Sequence, residues 1–160
     1  MELLDTRINW KTRKAELLVR EVLTDYNDCN HWTTPAVVAE NMQELFSLQN
    51  KTEEYLYLIA FNAQNDVTGI FEISHGNVTS TFVSSREIFQ KALLACATNI
   101  ILVHNHPSGH PEPSREDINV TRKIYQAGRF MDIELSDHII IAKEGFFNLA
   151  DSMYWEGIKE

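Results

Sequence analysis

The chain has 160 residues, of which 44% are hydrophobic and 23% charged. That is one domain's worth of protein with an ordinary globular composition, which excludes a disordered or low-complexity scaffold. Fourteen Lys and Arg against 23 Asp and Glu leave a net charge of -9, a field that opposes non-specific binding to phosphate backbones and anionic lipid while leaving room for a local basic patch.

The N-terminus, Met1 to Arg7, shows no basic region followed by an apolar one, so no signal peptide is read, and no run of about 18 apolar residues is present for a membrane helix. Cys29 and Cys96 are too few for a disulfide framework and read as reduced thiols. A soluble, cytoplasmic protein is the expectation. Leu17 to Val19 with Val22 and Leu23 suit a strand or a short helix, with the strand favoured. Thr34 before Pro35 starts a helix to about Ser47, with Val37, Val38, Met42, Leu45 and Phe46 as its apolar stripe. Tyr55 to Phe61 reads as a buried strand and Val67 to Ser74 as its hairpin partner, with a further strand over Val78 to Val83. Ser84 with Glu87 has capping-box spacing for a helix to about Thr98. Asn99 to Val103 is a central strand, and Ser114 to Asp117 opens a helix that ends at Gly128. Ile133 to Leu135 and His138 to Ala142 are two short strands, and the tail to Trp155 is ambiguous. Helices and strands alternate, so the class is α/β or α+β, a mixed β-sheet flanked by helices.

His104 and His106 sit two apart at the end of a buried strand, so strand alternation turns both imidazoles to one side. Two convergent imidazoles suit zinc, and Asp117 lies where the Pro-rich loop could return its carboxylate to them. Three such ligands leave a fourth tetrahedral position for water, the form of a catalytic site, and the place matches the rule that open α/β sheets put sites at carboxyl ends of strands. The competing reading is plain: His-x-His arises by chance, and Ser114 with Asp117 is also a helix cap.

His104-x-His106-Pro107, Ser114 after seven intervening residues, and Asp117 three further on match the JAMM (JAB/MPN+) metalloprotease signature. With Val83 to Phe89, His104 to Gly109, and Asp137-His138-Ile139, the chain more narrowly resembles the RadC family of bacterial JAB-domain proteins. The resemblance covers roughly Thr34 to Ser152, giving a single domain over 1–160 with 1–33 as an N-terminal extension and 34–152 as the matching core. It implies a JAB/MPN fold of deaminase-like architecture and a zinc-dependent hydrolase of peptide or isopeptide bonds, with one Zn2+ per chain on His104, His106 and Asp117. It further implies a glutamate before the first core strand as general base, which falls on Glu54 with Glu53 as the alternative. Ser114 would donate to the oxyanion.

The resemblance implies a peptide or protein substrate, with the turn Ala63 to Asp66 and the loop Pro107 to Pro113 as candidate groove linings. A metal-binding but non-catalytic MPN scaffold or binding module is the rival reading. A metal-dependent nuclease is less favoured, because the His104-Asn105-His106 letters are spread over a ββα unit in HNH enzymes. Longer RadC members carry a helix-hairpin-helix region ahead of this domain, so the family's historical link to DNA repair transfers weakly, and an association with DNA repair or mobile-element processes stands only as what the resemblance implies. Nucleic-acid contact is not expected through this domain alone. His138 reads as a hydrogen-bonded core residue or a support behind the ligands; His31, His75 and His110 read as solvent-facing. Trp10, Trp32 and Trp155 are expected to pack the ends of the chain on the core.

Overall fold

The computed structural model describes residues 2–22, 32, 34–76 and 83–160. In chain order the elements are β1 (Glu2–Asn9), β2 (Lys14–Val22), α1 (Pro35–Phe46), a 3-10 turn (Leu48–Asn50), β3 (Glu54–Phe61), β4 (Val67–Gly76), α2 (Ser85–Leu94), β5 (Asn99–Asn105), α3 (Arg115–Met131), β6 (Glu134–Ala142), β7 (Gly145–Asn148) and α4 (Tyr154–Lys159). The strands form one mixed sheet in the order β2-β1-β4-β3-β5-β6-β7, and the fold is α+β. Pairing is antiparallel except for β1 with β4 and β5 with β6, the latter joined by the crossover through α3.

Strand alternation builds two cores on the two faces of this sheet. From β3, Tyr57, Ile59 and Phe61 face α1 and pack with Val38, Ala39 and Met42. Leu56, Leu58 and Ala60 face the other way, onto Ile88 and Phe89 of α2, Ile124 of α3 and Trp155 and Ile158 of α4. β3 and β5 lie centrally and are covered on both sides, which is why their sequences are almost wholly apolar. The site described below sits where β5 ends, on the face covered by α2 and α3.

Helix α1 starts as its sequence dictates. Thr34 is extended and its hydroxyl accepts from the Val37 N–H at 3.3 Å, Pro35 follows at the first turn, and Ser47 ends the helix in the left-handed region at φ 51°. The β3–β4 turn is organised by the Asn62 side chain, whose Oδ1 accepts from the Gln64 and Asp66 N–H groups.

Several expectations need correction. Helix α2 stops at Leu94 rather than Thr98, because Cys96 takes φ 53° and turns the chain into β5. Its cap is only half a capping box: Ser84 accepts from the Glu87 N–H, while the Glu87 carboxylate goes instead to Lys91. Helix α3 does not end at Gly128 but runs on to Met131, and the left-handed residue is Asp132 at φ 52°. The two short strands expected after it are one continuous β6. The tail resolves into β7 and α4. The strand favoured around Leu17 is there, paired with β1, which the sequence reading did not anticipate. Trp32 and Trp155 are buried, but Trp10 lies at the hairpin tip and is 79% exposed. Most of the strand expected over Val78 to Val83, together with Cys29 and His31, lies outside the described residues. Cys96 is an exposed free thiol. Among the described residues no helix is long and apolar enough to cross a membrane.

Candidate metal centre

His104 and His106 project from the end of β5 to the same side, their Nε2 atoms 3.0 Å apart. The β5 backbone is pinned on both flanks: it pairs with β3 and β6, and the His106 N–H continues the ladder by donating to the Ile141 carbonyl at 2.9 Å. Asp117 enters from the first turn of α3. Its Oδ1 lies 3.2 Å from His104 Nε2 and its Oδ2 3.3 Å from His106 Nε2. All three side chains are at least half-buried, and one donor atom from each can be chosen within 4.8 Å of the others.

The carboxylate of Asp117 is aimed by the helix start. Ser114 Oγ accepts from the Asp117 N–H at 3.1 Å and donates to Asp117 Oδ2 at 2.7 Å, while the Ser114 N–H donates to the same oxygen at 2.8 Å. This is a complete capping box with Asp in place of the usual Glu. The capping and metal readings of Ser114 and Asp117 are therefore compatible: Oδ2 closes the cap, and among the described residues Oδ1 faces only His104 Nε2. Burial alone would raise the Asp117 carboxyl, but His104 and His106, when they carry protons at Nε2, and the hydrogen bonds from Ser114 outweigh it and hold the group well below the usual carboxylate range.

Hydrogen-bond chemistry decides where the ring protons stand. His106 Nδ1 lies 2.9 Å from the His110 carbonyl, which can only accept, so this nitrogen carries the hydrogen. Thr121 Oγ1 lies 2.6 Å from the Asp117 carbonyl and spends its one hydrogen there. His138 Nδ1, 2.6 Å from the same hydroxyl, must then be the donor. His138 is almost wholly buried, and burial first, then the neighbouring His104, pushes its pKa down to about 3, so its Nε2 is a bare acceptor. That nitrogen lies 2.8 Å from His104 Nδ1, which donates to it.

In the neutral rings both Nε2 atoms consequently present lone pairs to each other and to a carboxylate. Three acceptors converging in a buried place demand a cation, either protons on the rings or a metal ion. For His106 burial lowers the pKa, but the hydrogen bond to Asp117, the His110 carbonyl, and the charges of Asp117 and Glu54 together raise it.

Glu54 begins β3. Leu56 pairs with His104 across the ladder, so Glu54, two residues back on the same face, approaches the histidine pair. Its Oε2 is buried with no hydrogen-bond partner among the described residues. Burial raises its pKa, opposed by His104 and His106 and assisted by Asp117. Glu53 lies in the bend just before β3 and is exposed, and its backbone carbonyl takes part in the site region. A buried, unpaired carboxylate oxygen beside two imidazoles and an aspartate suits an environment that supplies a further polar group, and the two-His, one-Asp donor set is of the kind a borderline cation such as zinc accepts.

Two residues that the sequence reading passed over hold the arrangement. Asn105 is 1% exposed; its Oδ1 accepts from the Tyr55 N–H at 2.7 Å and its Nδ2 donates to the Glu53 carbonyl at 3.0 Å. One amide thus grips the backbone on both sides of Glu54. The signal was an amide side chain closing an otherwise apolar strand, at a position that alternation turns away from the histidines. Thr121, fully buried, follows Asp117 by four residues, one helical turn on the same face. His75 and His110 are exposed and pair with Glu72 and Glu144.

A mixed sheet with a His-x-His pair at the end of a central strand and an Asp at the start of the crossover helix gives an α+β fold carrying a cluster that could hold a metal ion. The chain belongs to the RadC-like JAB domain family, which matches residues 32–154. It is similar to a UPF0758 protein of Clostridium acetobutylicum, 40% identical over 119 residues that make up 74% of this chain and 51% of the relative. A UPF0758 protein of Clostridium botulinum is 46% identical over 99 residues, 62% of this chain and 43% of that one. One from Geotalea uraniireducens is 35% identical over 136 residues, 85% of this chain and 59% of the relative. The chain thus spans about half the length of the curated relatives it matches.

Proposed function

We propose that the chain is a zinc-dependent hydrolase of peptide or isopeptide bonds, with one ion held by His104, His106 and Asp117. The observation that carries this reading is the unpartnered, buried Glu54 Oε2 set beside a three-ligand cluster. Zinc bound there would acidify a water and polarise a carbonyl. Glu54 is the general base: its raised pKa brings it toward the range in which a carboxylate can both take a proton from water and return it to a leaving amine. Ser114 is the oxyanion donor, its hydroxyl turning from Asp117 Oδ2 toward the developing charge while the backbone N–H keeps Oδ2 in place. The Pro107 to Pro113 loop, fixed by the Glu144 N–H donating to the Gly109 carbonyl, borders the substrate. The net charge of -9 favours a peptide or protein substrate over nucleic acid.

Elemental analysis tests the ligands. The parent should carry about one zinc per chain and the His106→Ala and Asp117→Ala variants should not. Glu54→Gln should keep the metal and lose on the order of 10²–10⁴-fold in hydrolysis of a quenched-peptide library. Equal hydrolysis by Glu54→Gln would overturn the assignment of the base. A parent that holds zinc and cleaves nothing in the library would favour a metal-binding scaffold instead.

A further inference from the structure

The buried chain Asp117 carbonyl, Thr121 hydroxyl, His138 ring, His104 ring runs from the backbone of one proposed ligand to the side chain of another. Every link has only one consistent direction. A carbonyl accepts; the hydroxyl that donates to it can only accept from the next ring; a neutral ring that donates at Nδ1 accepts at Nε2; and His104 donates at Nδ1, which leaves Nε2 bare. We propose that Thr121 and His138 are positioning residues that set His104 in the tautomer able to bind a metal through Nε2. This inference rests on the reading of His104 as a metal ligand.

Helix α3 makes the device possible. It presents Asp117 and Thr121 one turn apart, so the helix that delivers the carboxylate also delivers the hydroxyl that orients the opposing imidazole. His138 comes from β6, adjacent to β5 in the sheet, and its Cα partner is Leu102, which puts its ring on the same face as His104. Thr121, His138 and His104 are all at most 5% exposed, so water has little means of replacing a lost link. Without the Thr121 hydroxyl, His138 Nδ1–H has no acceptor. Moving that hydrogen to Nε2 reverses the next bond, so that His138 donates to His104 Nδ1 and the His104 hydrogen is driven onto Nε2, the atom the metal needs.

The test compares the parent with Thr121→Val, which keeps the shape and removes the hydroxyl, and Thr121→Ser, which keeps the hydroxyl. Zinc affinity is read by competition with a chromophoric chelator. Ring tautomers are read on the ion-free protein at alkaline pH from two-bond ¹H–¹⁵N correlations of labelled histidine. Thr121→Val should bind zinc roughly 10–100-fold more weakly and show His104 shifted toward the Nε2–H form, while Thr121→Ser should match the parent in both. Val binding as tightly as Ser, with His104 unchanged, would overturn the proposal. The parent spectrum needs no variant: His104 and His138 must both be Nδ1–H, and an Nε2–H signal on either overturns it. A parent that binds no zinc would overturn the metal-site reading, and with it the role assigned here, even if the tautomers were as stated.

Discussion

Asn105 shows how one side chain can serve a neighbouring strand's backbone. Its amide satisfies the Tyr55 N–H and the Glu53 carbonyl at the point where β3 reaches its first residue, Glu54. Asn105→Ala leaves both groups unpaired in a half-buried setting, at a cost of about 1–3 kcal/mol, and frees the stretch that carries Glu54. The expected outcome is a lower urea midpoint and at least tenfold slower turnover with zinc content unchanged, checked by denaturation, kinetics and elemental analysis on the same preparation. The cluster was legible at this scale because a strand's period of two and a capping box are local rules: His104, His106, Ser114 and Asp117 could be placed from spacing. Glu54 against Glu53 could not, since the choice turns on which face β3 presents, and that is fixed by its pairing with β5. Asn105 and Thr121 escaped because their partners lie far away in the chain or on its backbone, where no pattern of residue types records them.

At the scale of elements, the errors have a common physical origin in what glycine and left-handed residues are for. Gly128 reads as a helix end, yet it lies inside α3. A Cβ there would stand 2.3 Å from the Ile133 carbonyl oxygen, so the glycine serves the close return of the chain toward β6 rather than termination. Asp132 and Cys96 make the actual turns at positive φ without being glycine, which leaves no cue in the sequence. Gly128→Ala should therefore destabilise despite alanine's better helix propensity, by about 1–3 kcal/mol for the overpacked contact, seen as a melting temperature lowered by roughly 3–10 °C. An unchanged or higher melting temperature would show that the return can move aside. The unexpected β1 is a different case: its alternation is interrupted by adjacent Leu3 and Leu4, both buried at a bulge in the pairing with β2, so a period-two search passes it by.

For the whole molecule, the titration of the buried site contributes to the pH profile of folding. In the ion-free chain His138 sits at about 3 in the fold against an ordinary 6.5. A folded value below the unfolded one means that the unfolded chain takes up the proton first as pH falls. The contribution is complete above about pH 6.5 and is lost toward pH 3, at a slope of up to about 1.4 kcal/mol per pH unit. Asp117, held below its usual 3.8, acts with the same sign at lower pH. His106, whose folded value is raised, acts oppositely: its contribution is present below 6.5 and lost as pH rises through the folded value. Urea midpoints of the chelator-stripped parent and His138→Gln between pH 7 and 4 should separate these, the variant showing the flatter decline on the acid side.

The double use of the α3 cap bears on how such sequences are to be judged. Ser114 and Asp117 close the start of a 17-residue helix whether or not an ion is present, so selection for folding alone would preserve them, and their survival in a chain testifies little to chemistry. His104 and His106 are held by hydrogen bonds at Nδ1, but their Nε2 atoms have no such second employment: bare nitrogens turned on one another inside the protein are a liability to folding. Where a related chain keeps the cap and exchanges the histidines, the cluster is gone though the helix start remains; where the histidine pair persists, the donor set that could hold a metal ion persists with it.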